Sequence, residues 1–224
     1  LVSKCRISKE KVFVVYYAAD PIFRRIKDRS RVKAQLVRKF KIKTDFFLVP
    51  GDLEERGRPK VVLDGFVKFC QNNKNFELVF AGFNKWGKKA NDYMSLFENN
   101  QIRFLNYVAD DDLNELYNCA QAVLYLSSYE GFGLPIVEAM ASGTPVICSN
   151  IKVLREIASN AAIFTKNENE LYRAMERILK DKSFREKYAE FGYLRSKFFS
   201  WEKTARQTLE VYKWGLEKNK NGSA

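Results

Sequence analysis

Histidine is absent from all 224 residues. That absence excludes Ser-His-Asp and Cys-His nucleophile systems and any zinc site built on imidazole. Long apolar runs are missing too: none approaches the roughly eighteen residues that a membrane-spanning helix needs, so the sequence reads as a soluble chain. Cysteine is sparse, with Cys5, Cys70, Cys119 and Cys148 scattered and no CxxC pair. The last three sit in apolar neighbourhoods, which predicts reduced core thiols and a cytoplasmic protein. With no internal repeat and no low-complexity linker, the length predicts one compact domain with trimmings. The chain opens on Leu1 with neither an initiator Met nor a signal-like segment, which suggests a piece of something longer, and the closing "NGSA" reads as an appended scar.

What the chain has in excess is positive charge, with 39 Lys and Arg against 27 Asp and Glu, a formal net charge of +12. Residues 24–43, "RRIKDRSRVKAQLVRKFKIK", carry ten of the basic residues and a single Asp, and so hold +9 of that total. Two readings stay open for this segment. One is a solvated helix face over an apolar stripe of Ile26, Val32, Leu36, Val37 and Phe40. The other is a surface that rests on anionic lipid, a peripheral contact with the cytoplasmic face of a membrane. Nucleic acid is a weaker third, because an RNA binder interleaves exposed aromatics with its basic residues and only Phe23 and Phe40 are at hand.

Short β-branched or aromatic runs recur between helical patterns: "KVFVVYY" (11–17), "DFFLVP" (45–50), "FELVFAG" (76–82), "IRFLNYV" (102–108), "AVLYL" (122–126), "PVICS" (145–149) and "AAIF" (161–164). Several are continuously apolar, as strands covered on both faces of a parallel sheet must be. Helical patterns fall near 24–40, 59–73, 86–99, 111–120 and 135–142. The alternation predicts an α/β fold, a Rossmann-like parallel sheet with helices on both faces, whose ligands bind outside the carboxyl ends of the strands. After residue 165 the strand signals stop and three amphipathic helices follow, the last opened by Ser200 as N-cap before Trp201. The expected organisation is an entry segment with its basic helix (1–44), a Rossmann-like core (45–165) and carboxyl-terminal helices packed on that core (166–224).

The chemistry concentrates in "SSYEGFGLPIVEAMASGTPVICSN", residues 127–150. Gly131 and Gly133 let the backbone approach a ligand, Pro135 suits the first turn of a helix, and the N–H groups of 133–136 with the positive helix end form a phosphate or diphosphate site. Glu130 and Glu138 flank that site. Carboxylates touching phosphates would be repelled, so they suit neutral hydroxyl donors on either side, a ribose diol and a sugar ring. A nucleotide sugar supplies that order of groups. The plainer alternative is that Glu138 complements the helix dipole and Glu130 caps a loop.

This stretch resembles the signature of retaining GT-B glycosyltransferases of family 4, with two Glu separated by seven residues. "ISKEKVFVVYYAADPIF", "IRFLNYVADDDLNELYNCAQAVLYLSSYEGFG", "LREIASNAAIF" and "SWEKTARQTLEVY" resemble further segments of that family in the same order. The resemblance covers nearly the whole chain and implies the carboxyl-terminal, donor-binding lobe of a metal-independent enzyme, with no cofactor beyond a nucleoside-diphosphate sugar as substrate. The acceptor, a sugar or a lipid-linked sugar in polysaccharide, lipopolysaccharide or glycolipid synthesis, would be held by an amino-terminal domain that is not in this sequence. It further implies that Glu138 holds the ribose hydroxyls and Glu130 the transferred sugar. Gly131, Phe132, Gly133 and Leu134 would line the sugar and diphosphate, with Tyr107, Val108 and Leu113 against the base. The family's "LPE" glutamate corresponds to Glu156 in "LRE", expected to be structural.

One departure stands out. The family carries an Arg after the glycine that ends "FFLVPG" and a Lys some residues on, and these offset charge on the leaving diphosphate. Read without gaps, this chain has Asp52 and Gly57 there. Arg56 and Arg58, with Lys60 nearby, restore a basic pair if the register slips. If they do not, the alternative is a non-catalytic nucleotide-sugar or phosphate-binding module. Asp110 and Asp112 show D-x-D spacing, but they open a helix and read as N-cap and first-turn anions rather than a metal site. Lys85, Lys88 and Lys89 in the loop after Gly82 read as solvated.

Overall fold

The computed structural model describes residues 6–97 and 101–221; Cys5 and the last three residues of "NGSA" lie outside them. By contact the chain forms two units, one of residues 1–18 with 198–224 and the other of residues 19–197. By contact, the divisions fall after residues 18 and 197. The basic helix and the first two carboxyl-terminal helices belong with the sheet.

Unit 19–197 is a six-stranded sheet of order β3-β2-β1-β4-β5-β6. Its strands are β1 (Asp45–Pro50), β2 (Phe76–Ala81), β3 (Ile102–Phe104), β4 (Ala122–Tyr125), β5 (Val146–Ser149) and β6 (Ile163–Thr165). Every pairing is parallel. The helices are α1 (Arg29–Phe40), α2 (Pro59–Cys70), α3 (Lys88–Met94), α4 (Asp110–Cys119), α5 (Leu134–Ala141), α6 (Lys152–Ala158), α7 (Glu168–Lys180) and α8 (Lys182–Ser196). The predicted alternation is thus realised, with α6 as an element the sequence reading did not pick out. α1 begins at Arg29 rather than at 24, because the Asp28 carboxylate accepts the Arg31 N–H at 3.0 Å and caps the helix there.

Both sheet faces are buried, and the strands sort their side chains with period two. Phe46, Leu48, Val79 and Val123 face a core built with α1, α4, α5 and α6 through Leu36, Tyr117, Met140 and Leu154. Phe47, Leu78, Phe80 and Leu124 face the other core, where α2 and α7 contribute Phe66, Phe69, Leu171 and Met175. That second core is rich in rings: Phe47 meets Phe69 edge-on at 5.2 Å, and Phe80 stacks on Phe104 at 4.8 Å. α7 lies close on α2 because Gly65 presents no side chain; a Cβ there would stand 2.9 Å from Leu171 Cδ2. Buried Glu77 on β2 accepts from Lys43 N–H at 3.0 Å and from Arg103 Nε at 2.7 Å, so its charge is satisfied while it ties the start of β1 to β3.

In the other unit, residues 11–17 form no strand, contrary to the sequence expectation. Their apolar side chains are satisfied by rings instead. α9 (Trp201–Asn221) meets them through Phe13–Trp214 at 4.9 Å and Tyr17–Trp201 at 6.1 Å, and Thr204 Oγ1 donates to the Tyr16 carbonyl at 2.6 Å. Ser200 does cap this helix, accepting from Lys203 N–H at 3.2 Å. Phe13, Val14, Tyr17, Leu209, Tyr212 and Leu216 remain exposed on this unit.

Candidate active site

The strand order reverses between β1 and β4, and a cavity of about 310 Å³ opens at their carboxyl ends. Open α/β sheets bind ligands at such a reversal, because the loops diverge to opposite faces and leave a crevice. Its walls are Val49–Glu54, Arg56 and Gly57 from the end of β1 and the loop after it, Val62 on α2, Leu124–Ser127 from the end of β4, and Glu130 and Pro135.

Two carboxylates each hold a tyrosine hydroxyl. Glu130 is buried, and its Oε1 accepts from Tyr125 OH at 2.8 Å, with Arg56 Nη1 3.8 Å away. Glu138 Oε2 accepts from Tyr117 OH at 2.9 Å. Burial pushes the Glu138 carboxyl up from 4.5 to about 6; the Tyr117 hydroxyl works against that shift, and Asp110 and Asp20 add to it. Both phenols are raised, Tyr117 and Tyr125 alike, mainly by burial and then by the neighbouring carboxylate, so they stay neutral donors. Neither tyrosine was anticipated from the sequence. The available signal was the polar-capable Tyr125 near the end of the otherwise aliphatic "AVLYL".

Between the carboxylates, α5 starts at Gly133, whose φ of 93° and whose prospective Cβ, 2.9 Å from Leu154 Cδ2, both require glycine. The expected row of N–H groups is shorter than the sequence reading had it. Pro135 has none, and Ile136 N–H is spent on the Gly133 carbonyl at 3.0 Å. Gly133 and Leu134 keep theirs without an acceptor among the described residues.

The basic candidates separate. Arg56 lines the cavity; the Glu130 carboxylate, and after it Glu54, holds its guanidinium above the ordinary value. Arg58 does not line it: its backbone is left-handed and its Nη2 donates to the Lys166 carbonyl at 2.7 Å. Lys60 points elsewhere too, to Asp64 at 2.8 Å and Tyr93 OH at 3.1 Å. Asp52 lies in the wall, takes Phe83 N–H at 2.7 Å and pairs with Lys85 at 2.5 Å, which lowers its pKa.

Of the base-side candidates, Tyr107 is 81% exposed, while Val108 and Leu113 are half-buried against the core that holds Tyr117. Gly131 is exposed and Phe132 half-buried. Ala109, not an aspartate, is the N-cap of α4; Asp110–Asp112 fill its first turn, and Asp112 pairs with Lys39. Glu156 is exposed on α6, and its backbone carbonyl accepts from Arg195 Nη2 at 2.9 Å. Cys70, Cys119 and Cys148 are free thiols, raised by burial to about 12, 11 and 12.

Residues 32–195 match the family described as Glycosyl transferases group 1. The chain belongs to that family. A curated member, the O-antigen chain mannosyltransferase B of Escherichia coli, is 34% identical over 176 residues, 75% of this chain and 45% of its own length. The chain thus spans about half the length of the curated relatives it matches. Among solved structures, a glycosyltransferase from Rickettsia africae superposes with a TM-score of 0.82 at 19% identity over 96% of this chain and 60% of its own. Anabaena HepE, solved in complex with UDP-glucose, superposes with a TM-score of 0.75 at 19% identity over 92% of this chain and 57% of its own. At these identities the likeness concerns the fold, and the fold is that of one lobe of a GT-B glycosyltransferase.

Proposed function

We propose that this group 1 domain is the donor-binding half of a retaining, metal-independent hexosyltransferase, and that an amino-terminal domain binds the acceptor. The observation that carries the reading is the cavity at the β1/β4 reversal, with Glu130 and Arg56 in its wall and the glycine-led start of α5 beside it. Glu138, held by Tyr117, accepts the ribose hydroxyls, and Glu130, held by Tyr125, accepts hydroxyls of the transferred sugar. As the bond between the sugar carbon and the diphosphate breaks, negative charge grows on the leaving oxygen. Arg56 and the Gly133 and Leu134 N–H groups offset it in place, which is where preorganised donors contribute most. Tyr107, Val108 and Leu113 flank the base.

The acceptor is a sugar or lipid-linked sugar of polysaccharide, lipopolysaccharide or glycolipid synthesis, a reading favoured by the O-antigen relative. The exposed apolar side chains of the 1–18 and 198–224 unit are the surface an amino-terminal lobe would cover. Residues 24–43 rest on the anionic cytoplasmic face of a membrane. In support, all ten basic side chains are exposed while Val32 and Leu36 are buried, and among the described residues only Arg25, Lys33 and Lys39 of the ten are in ion pairs. Co-flotation with phosphatidylglycerol vesicles but not phosphatidylcholine vesicles, lost on changing Arg31, Arg38 and Lys43 to Glu, tests this contact.

Thermal-shift titration with UDP, GDP, ADP and their sugar conjugates tests the donor site, since a ligand at a hundred times its Kd stabilises the native state by about 2.7 kcal/mol. A base-selective shift that Glu138→Ala abolishes is the expected result; no shift with any nucleotide refutes it. A second reading, a non-catalytic nucleotide-sugar module, is favoured by Asp52 and Gly57. Arg56→Ala in the full-length protein separates the two, because an enzyme loses turnover beyond its loss of donor affinity.

A further inference from the structure

The cavity wall is short of positive charge for a diphosphate. Asp52, Glu54 and Glu130 stand against Arg56 alone, and Arg56 is shared between Glu54 at 3.1 Å and Glu130. The loop after β2 brings one more cation to this wall. Gly51 N–H donates to the Ala81 carbonyl, Leu53 N–H to Phe83 and Lys85 N–H to Leu53, at 2.9, 2.9 and 3.0 Å, so the β1–β2 ladder continues past both strand ends. Trp86 Nε1 adds a bond to Glu55 at 2.9 Å. Gly82 permits this approach: a Cβ there would stand 2.2 Å from Gly51 O and 2.6 Å from Asp52 N, both backbone. Lys85 is thereby fixed beside the wall, its ammonium 2.5 Å from Asp52, while 58% of its side chain stays open to solvent.

We infer that Lys85 is the second cation of the diphosphate site, and that Asp52 is a positioning residue that holds it there. The inference rests on the donor-binding reading above. It inverts the apparent sense of Asp52: instead of repelling the donor, this carboxylate aims an ammonium that reaches from the neighbouring loop. Asp52 can do so without losing its own place, because its second oxygen is anchored by Phe83 N–H at 2.7 Å. An ammonium–phosphate contact is charge-assisted but here partly solvated, so its loss is expected to weaken binding by about tenfold.

The test is calorimetric titration of the chain with UDP, GDP or ADP and the matching monophosphates, in wild type, Lys85→Met, Lys85→Arg, Asp52→Asn and the double variant Asp52→Arg/Lys85→Met. Lys85→Met should lose diphosphate affinity more than monophosphate affinity, and Lys85→Arg should keep most of it. Asp52→Asn should weaken the diphosphate, and the double variant should recover it. Unchanged thermal melts show that the variants fold. Wild-type affinity in Lys85→Met, or tighter binding in Asp52→Asn, overturns the inference; if Glu138→Ala still abolishes binding, the donor site itself stands. Failure of the wild type to bind any nucleotide overturns both.

Discussion

Replacing Tyr117 by Phe removes one hydroxyl from a site where its effect can be worked out. Glu138 titrates at about 6 rather than 4.5, with burial as the main cause and the Tyr117 hydrogen bond opposing it. Because the folded state holds this proton more tightly than the unfolded chain, ionised Glu138 costs stability above pH 6. The cost is about 2 kcal/mol at 1.36 kcal/mol per pH unit, and it is relieved as the pH falls from 6 towards 4.5. Without the hydroxyl, the carboxylate forfeits a bond of about 1.5–3 kcal/mol, which moves its midpoint up by one to two pH units. Glu138 would then be largely protonated at neutral pH and a poorer acceptor for a diol. Calorimetry of nucleotide binding from pH 5 to 8 reads this directly. Wild-type affinity should fall as the pH drops through 6, and Tyr117→Phe should show the same fall displaced towards 7–8. A profile that is flat, or that has the same midpoint in both proteins, refutes the reasoning.

Arg58→Ala should lower the melting temperature through loss of the Lys166 carbonyl contact, by about 1 kcal/mol in denaturant titration, and leave nucleotide affinity unchanged. Arg56→Ala should do the reverse. Gly82→Ala forces apart two backbones that meet without a side chain between them, so it should cost about 1–3 kcal/mol and abolish nucleotide binding together. Tyr125→Phe leaves Glu130, among the described residues, with only the more distant Arg56 and should impair sugar-conjugate binding more than binding of the bare nucleotide, as competition titrations would show.

The fold was legible where periodicity and burial agree. The continuous runs "DFFLVP" and "FELVFA" are strands because both their faces are covered, and that is what an unbroken apolar run encodes. "KVFVVYY" carries the same pattern and misleads, since a run of that kind specifies burial of side chains and not the partner that supplies it. The partner here is a helix two hundred residues on in sequence rather than a neighbouring strand. In the candidate site, Glu130, Glu138 and the Gly133 turn were legible from local spacing, and Arg56 from its place after Gly51. Arg58 and Lys60 were not separable from Arg56, because the left-handed backbone at Arg58, which redirects the chain into α2, has no signature in a row of basic residues. Tyr117 meets Glu138 across 21 residues and Lys85 meets Asp52 across a glycine, approaches that tertiary structure alone supplies, whereas Tyr125 lies only five residues before Glu130.

The unit built from residues 1–18 and 198–224 also bears on how the protein is made. Phe13, Tyr16 and Tyr17 leave the ribosome roughly 180 residues before the helix whose rings receive them. At about 5–20 residues per second that interval is about 10–40 seconds, during which unit 19–197 can complete while an aromatic segment waits unclaimed. Synthesis therefore leaves this aromatic segment without the α9 rings while unit 19–197 forms, and truncation anywhere before residue 198 would remove those rings for good.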